Sequence, residues 1–225
     1  MSTQTRTALQ VVITAPVVSF RNPLYRGVQV GLPCPPPATV GGLLAAAAGG
    51  WHRVSRDLRF AMAFHARGAG EDLETYHPLV ASGTKASPAP RTREFLADVT
   101  LTVWLLDDLE AWQSRMRRPI WPLCLGRSQD LVGVCLSIVE LIPRPGVQGQ
   151  ALVPDGEQAD GALLRLPTAV SPGRDRTRWE SYRFDHTGRS SATLSGSGHW
   201  STQSGQAVVP LEGTHSDSAA DMIGA

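Results

Sequence analysis

The chain has 225 residues, of which 42% are hydrophobic and 18% charged, with a formal net charge of +1. That balance supplies a packed core and excludes wholesale disorder, and the length suits one large domain or one domain with a small appendage. Near-neutrality argues against a freestanding nucleic-acid binder. The three cysteines, Cys34, Cys124 and Cys135, form no CxxC pair and point to buried free thiols rather than a disulfide framework or a zinc site.

The opening MSTQTRTALQ has no basic segment followed by an apolar stretch, so no signal peptide is expected. The most apolar run, residues 40–48, is too short to span a bilayer, and a cytoplasmic protein is the expectation. Residues 8–15 (ALQVVITA) are short, apolar and rich in β-branched side chains, the signature of a strand. Residues 16–38 form a proline-rich loop with SFRNP at 19–23 and PCPPPAT at 33–39, where missing N–H donors rule out a long central strand. Thr39 is placed to cap a helix whose apolar stripe is Val40, Leu43, Leu44 and Ala47, with Gly49 and Gly50 ending it. Gly41 and Gly42 in its first turn allow another backbone to come close.

A second strand is expected over 58–66. It is followed by a long polar stretch, 68–93, of a length that is often functional. Residues 94–106 read as a third strand, with Leu101, Val103 and Leu105 on one face and Thr100, Thr102 and Trp104 on the other. Asp107 is placed to cap a second helix over 108–118, a loop over 119–130 holds LGRSQD, and 131–142 reads as a fourth strand. The order strand, helix, strand, strand, helix, strand predicts an α+β, ferredoxin-like (RRM-type) core over residues 1–143 with an insertion at about 67–93. Beyond it the spacing predicts a small C-terminal β region over 144–212 and a flexible polar tail over 213–225.

No pair of the six histidines has HxxxH or HExxH spacing, and no nucleophile elbow, Walker loop or dinucleotide fingerprint is present, so neither metal nor cofactor is expected. The acidic cluster Glu71, Asp72 and Glu74 reads as a solvated loop. A metal-free ribonuclease needs a base, an acid and a cation near the scissile phosphate. Tyr25, His77 and Lys85 are suitable types, but their spacing fits RNA binding as well as cleavage. Lys85 is the only lysine among 21 basic residues. Arginine suits bidentate phosphate contacts and stacking on bases, and a GC-rich genome produces the same bias.

The block ALQVVITAPVVSFRNPLYRGVQVGLPCPPPATVGGLLAAAAGGW resembles the start of the fifth CRISPR-associated protein family, and three later segments resemble especially its type I-B members. REFLADVTLTVWL at 93–105, the region around Trp121, and LGRSQDLV at 125–132 resemble later segments of that family. The resemblance implies a ferredoxin-like core with a thumb-like hairpin inserted between its second and third strands. It implies a non-catalytic subunit that holds the 5′ handle of the guide RNA (crRNA) in a type I surveillance complex (Cascade). Its partners would be a backbone subunit, a large subunit and, through the complex, target DNA.

By the same resemblance Ser19, Phe20 and Arg21, with Asn22 and Tyr25 beside them, form one RNA-facing loop, and Gly126, Arg127, Ser128 and Gln129 another. Phe20 can stack on an unpaired base or be a core residue. Arg21 and Arg127 can pair with phosphates, and Arg127 alternatively clamps its own loop. The thumb would use Tyr76, His77, Lys85, Arg91 and Arg93. One branch of the family cleaves precursor RNA with a tyrosine and an adjacent lysine–histidine pair. Here the single lysine precedes Ala86, so endoribonuclease activity is the alternative rather than the expectation. A protein-interaction module without RNA is a third reading.

Overall fold

The computed structural model describes residues 5–25, 30–76 and 88–220. Strand β1 (Arg6–Val18) leads through the proline-rich loop to helix α1 (Pro37–Ala48), then to the paired strands β2 (Phe60–Tyr76) and β3 (Ala89–Leu105), helix α2 (Leu109–Arg117) and strand β4 (Gly133–Leu141). The four strands form one sheet in the order β2-β3-β1-β4, with every neighbouring pair antiparallel.

Alternation decides which face of the sheet is covered. Leu9, Val11 and Ile13 of β1, Val99, Leu101, Val103 and Leu105 of β3, and Phe60, Met62 and Phe64 of β2 point to one side. There they bury against Val40, Leu43 and Leu44 of α1 and Trp112 and Met116 of α2. The opposite face is covered at one end only, where Ala8, Ala61, Trp104 and Leu141 pack with Val208 and Trp200.

Both helix starts differ from expectation. Helix α1 begins at Pro37, two residues before Thr39, and no side chain caps it. Proline at the first helical position has no N–H to leave unsatisfied and its φ is preset for the helix, so a side-chain cap is dispensable. Gly49, at φ +90°, ends the helix as a Schellman turn, its N–H donating to Ala46 O at 3.2 Å and that of Gly50 to Ala45 O at 2.8 Å. Asp107 does not cap α2. Its carboxylate pairs with Arg6 at 2.7 Å and Arg59 at 3.7 Å, and Asp108, in the left-handed region, precedes the first turn.

The polar stretch over 68–93 is not open loop. The β2–β3 ladder runs on from Gly68↔Ala97 to Tyr76↔Ala89, so a two-stranded arm continues beyond the sheet. The arm departs at Arg67 and Asp98, where Asp98 takes φ +51° and its carboxylate accepts from Arg67 Nη1 at 2.9 Å. Aspartate tolerates this backbone better than most residues because its short side chain bonds locally.

The C-terminal third packs onto the core. Strands β5 (Gly146–Gly149), β6 (Val153–Pro154), β7 (Ala162–Val170), β8 (Thr177–Phe184), β9 (Ser190–Leu194), β10 (Trp200–Ser201) and β11 (Ala207–Val208) form three small sheets. Leu166, Tyr182 and Phe184 belong to the same buried cluster as the main sheet. The outer edge of β2 is itself sealed by this region: Phe64 N–H donates to Gln150 O, Leu152 N–H to Met62 O and Leu211 N–H to Phe60 O, at 2.8 to 3.1 Å. The flexible tail expected from residue 213 is also corrected as far as residue 220. Thr214, His215 and Ser216 are buried, and a final turn α3 (Asp217–Ala220) follows. The tail docks because Gly41 leaves room for it: a Cβ there would lie 3.2 Å from Thr214 O and 3.0 Å from the Trp51 ring. Gly42 faces open space. Among the described residues no helix is long and apolar enough to cross a membrane.

Candidate nucleic-acid interface

Three segments remote in sequence meet at the end of the sheet where the arm departs. The first follows β1. Ser19 Oγ donates to Glu94 O at 2.7 Å, Leu32 N–H to Phe20 O at 2.7 Å and Asn22 N–H to Val30 O at 2.8 Å, which ties residues 20–22 to residues 30–32 as two close limbs. The Asn22 side-chain oxygen accepts from Leu24 N–H at 3.1 Å, and Arg21 and Tyr25 are exposed. Glu94 Oε2 accepts from Gly31 N–H at 2.6 Å, so one residue of β3 fastens both limbs of this loop.

The second segment is the loop between α2 and β4. Leu125 N–H donates to Asp130 O at 2.9 Å, and Asp130 N–H to Arg127 O at 3.0 Å. Gly126 sits at φ +102°, and a Cβ there would lie 2.8 Å from the Ser19 carbonyl oxygen. Glycine is therefore required on two counts, backbone conformation and contact with the first loop. Ser128 and Gln129 form the exposed tip, and the Ser128 carbonyl accepts from Cys124 Sγ at 3.1 Å.

The third segment is the base of the arm. Arg93 pairs with both carboxylate oxygens of Asp72, its Nε donating at 2.8 Å, and lies 3.5 Å from Glu74. Arg91 is exposed opposite Glu74 in the ladder. The acidic cluster is thus partly spent on arginine. His77 and Lys85 lie outside the described residues, as does the side chain of Tyr76.

Two candidate residues have other duties. Phe20 is 4% exposed and lies edge-on to Phe64, with ring centroids 5.9 Å apart, so its ring packs in the core. Arg127 is a clamp: its fork grips Asp130, which is 5% exposed, through Nε at 2.9 Å and Nη2 at 2.6 Å. The Asp130 hydrogen bond raises the Arg127 pKa, with the fields of Asp130, Asp72 and Glu74 acting in the same direction. That leaves Arg21, Tyr25, Arg91, Gly126, Ser128 and Gln129 as exposed candidates on the three segments, with Asn22 and Arg93 half-buried beside them and Ser19 buried. Asp130, Asp72 and Glu94 were missed in the sequence. An acid three residues after Arg127, in a turn opened by glycine, was the available signal for the first; Asp72 and Glu94 become visible only with the β2–β3 register.

The half-open face of the main sheet carries one half-buried aromatic ring, His65, opposite Thr100. Thr14, Thr100, Thr102, Val12 and Cys135 line it, and Trp104 is buried with its Nε1–H donating to Gln10 Oε1 at 3.0 Å.

A cleft of about 380 Å³ separates the first loop from the arm, lined by Phe20, Leu32, Gly70, Glu71, Glu94 and Phe95 among others. The Phe95 ring lies across Gly70, where a Cβ would be 2.7 Å from it.

Comparison with known proteins places this architecture. No curated protein matches the chain. Two solved structures share its fold: a chain of a CRISPR RNA-guided surveillance complex, with TM-score 0.51 and 18% identity over 78% of this chain and 87% of that chain, and a CRISPR protein from Archaeoglobus fulgidus, with TM-score 0.51 and 14% identity over 89% and 98%. Identities this low establish likeness of fold alone. A family model described as CRISPR-associated protein (Cas_Cas5) matches residues 8–189, most of the chain, and the chain belongs to that Cas5 family.

Proposed function

We propose that this chain is a non-catalytic subunit of a type I CRISPR surveillance complex that binds and caps the 5′ handle of the guide RNA. The observation that carries this reading is the convergence of the Ser19–Asn22 loop, the Gly126–Asp130 loop and the base of the β2–β3 arm at one end of the sheet. Family membership and a fold shared with a chain of an RNA-guided surveillance complex support it. We read the βαββαβ order and the β2-β3-β1-β4 sheet as a ferredoxin-like, RRM-type core and the arm as its thumb. Arg21 and Arg91 would neutralise phosphates, while Ser128 and Gln129 would bond bases or the 2′-OH. The arm would lie over the guide beside a backbone subunit, a large subunit would bind alongside, and target DNA would be met through the complex. We assign it to the cytoplasm and to a type I-B-like system.

The test is to co-express the chain with its operon neighbours and a repeat-spacer array, purify through a tag on this chain, and sequence the bound RNA. A uniform short RNA with one fixed 5′ end in a multi-subunit particle is expected. Heterogeneous RNA, or none, would overturn the capping role. Cutting of a repeat RNA by the isolated protein in chelator would overturn the non-catalytic one.

A further inference from the structure

The β2–β3 arm has two unlike faces, because partners across a ladder share a face and neighbours in sequence do not. On one face Asp72 stands opposite Arg93 and Glu74 opposite Arg91, so each acid meets an arginine. On the other, Glu71 stands opposite Glu94 and Leu73 opposite Thr92. Glu94 is held in place by the Gly31 N–H at 2.6 Å, whereas Glu71 is exposed and has no hydrogen bond or ion pair among the described residues. Like charges directly opposite each other destabilise a ladder, and a cation placed between them removes that repulsion.

Both carboxylates open onto the cleft of about 380 Å³ between the first loop and the arm. Apart from them its side chains are small or apolar, Phe20, Leu32, Pro33, Phe95 and Leu96 being the large ones, and no basic residue lines it. The apolar surface continues outward along the same face of the arm. Leu73, two residues from Glu71, is 76% exposed, more than any other large hydrophobic side chain among the described residues. An apolar cleft that runs on to a bare leucine is an interaction surface, and the charge within it selects the occupant. Phosphates would add to the repulsion between Glu71 and Glu94, so the guide RNA does not fill it. A bare metal ion calls for several oxygen ligands, and the described residues hold no cluster of three metal-ligating side chains. An arginine meets both requirements. Its planar fork donates to two carboxylates at once, it is weakly hydrated, and its aliphatic stem covers apolar walls.

We infer that this face of the arm is a protein-docking surface, filled by a segment of a neighbouring subunit that sets an arginine between Glu71 and Glu94 and an apolar side chain against Leu73. The inference rests on the reading of this chain as one subunit of a guide-RNA complex. It divides the arm, with the Arg91 face turned to RNA and the Glu71 face to protein.

The test uses the tagged full chain co-expressed with its operon neighbours and a repeat-spacer array. Glu71→Gln with Leu73→Ser alters exposed side chains only, so the melting temperature should hold, while the neighbouring protein recovered per tagged chain should fall roughly tenfold. A photoactivatable benzophenone amino acid placed at position 73 should crosslink to one protein subunit, at a segment that contains an arginine. Changing that arginine to glutamate should release the chain to the same extent, and combining the change with Glu71→Arg should restore recovery. With the isolated chain and a short single-stranded RNA, the double variant should keep the wild-type salt slope, whereas Arg91→Ala should lower it by about 0.7. Crosslinking to RNA, crosslinking to a segment without a basic residue, or full recovery of the neighbours by the folded double variant would overturn the docking face and leave the subunit reading intact. A wild-type chain that recovers no protein neighbour would overturn both.

Discussion

Arg127 and Asp130 face each other across a three-residue turn, with Nε and Nη2 donating to separate carboxylate oxygens at 2.9 and 2.6 Å and the Arg127 backbone N–H donating to the same carboxylate at 3.2 Å. That edge of the guanidinium is spent on Asp130, while Nη1 is buried with no hydrogen-bond partner among the described residues. Asp130 is nearly excluded from water, so the pair acts as a loop lock rather than as an exchangeable surface contact.

Asp130→Ala should therefore cost about 2 kcal/mol of stability, because it removes the acceptor of two guanidinium hydrogen bonds and of the Arg127 backbone N–H. Urea unfolding measures this, and Arg127→Ala should be similar. Affinity for guide RNA should fall with both variants by loosening the Ser128–Gln129 tip. The salt slope should stay unchanged, whereas a phosphate-binding Arg127 would lower it by about 0.7 in a single-strand complex.

Gly126→Ala should disturb two loops at once. A Cβ would meet the Ser19 carbonyl at 2.8 Å in a backbone region that L residues avoid. A cost of about 2 kcal/mol is expected, with faster amide exchange in both 19–22 and 126–130. Exchange changes confined to 126–130 would show that the two loops are not in contact.

Phe20 separates core from interface directly. Phe20→Ala should cost about 4 kcal/mol, while Phe20→Leu should keep most of the stability and all of the RNA affinity. Loss of affinity in a stable Phe20→Leu protein would mean that the ring stacks on a base.

Much of this was legible in the sequence because period-2 patterns survive folding. The alternation of Leu101, Val103 and Leu105 against Thr100, Thr102 and Trp104 fixes which face of β3 meets the helices, and the structure keeps it. The continuation of β2 and β3 beyond Gly68 and before Glu94 was illegible in the residue pattern, and only the family resemblance implied a hairpin there. An arm outside the sheet has no buried face, so its polar residues carry no alternation and read as loop. Phe20 and Arg127 were open for a different reason: whether an aromatic or an arginine points in or out depends on Phe64 and Asp130, and only the second is a sequence neighbour. The tail was misread because Thr214, His215 and Ser216 are polar. The burial of Thr214 and His215 depends on acceptors at Leu58 and Trp51, far away in the chain.

The cysteines should differ in reactivity. Burial pushes the Cys34 thiol far above its ordinary range, which holds it protonated, while Cys135 lies exposed on β4. A thiol reagent at pH 8 should label Cys135 first and reach Cys34 only on unfolding, and peptide mapping after timed labelling checks the order.

Removing residues 214–225 should destabilise the whole molecule rather than trim a mobile end. Thr214 Oγ1 donates to Leu58 O at 3.3 Å, and the His215 ring bonds Trp51 O at 3.2 Å while lying edge-on to the Trp51 ring at 4.9 Å. Losing two such hydrogen bonds costs about 1 kcal/mol each, and uncovering Trp51 and Leu58 adds to that. His215→Ala in the full chain should reproduce part of the loss. A truncated protein that melts at the wild-type temperature would show that the segment contributes nothing to the fold. A truncated protein that melts early yet binds RNA normally at low temperature would place the segment's role in stability alone, which is the outcome its position, on the helical side and away from the three loops, predicts.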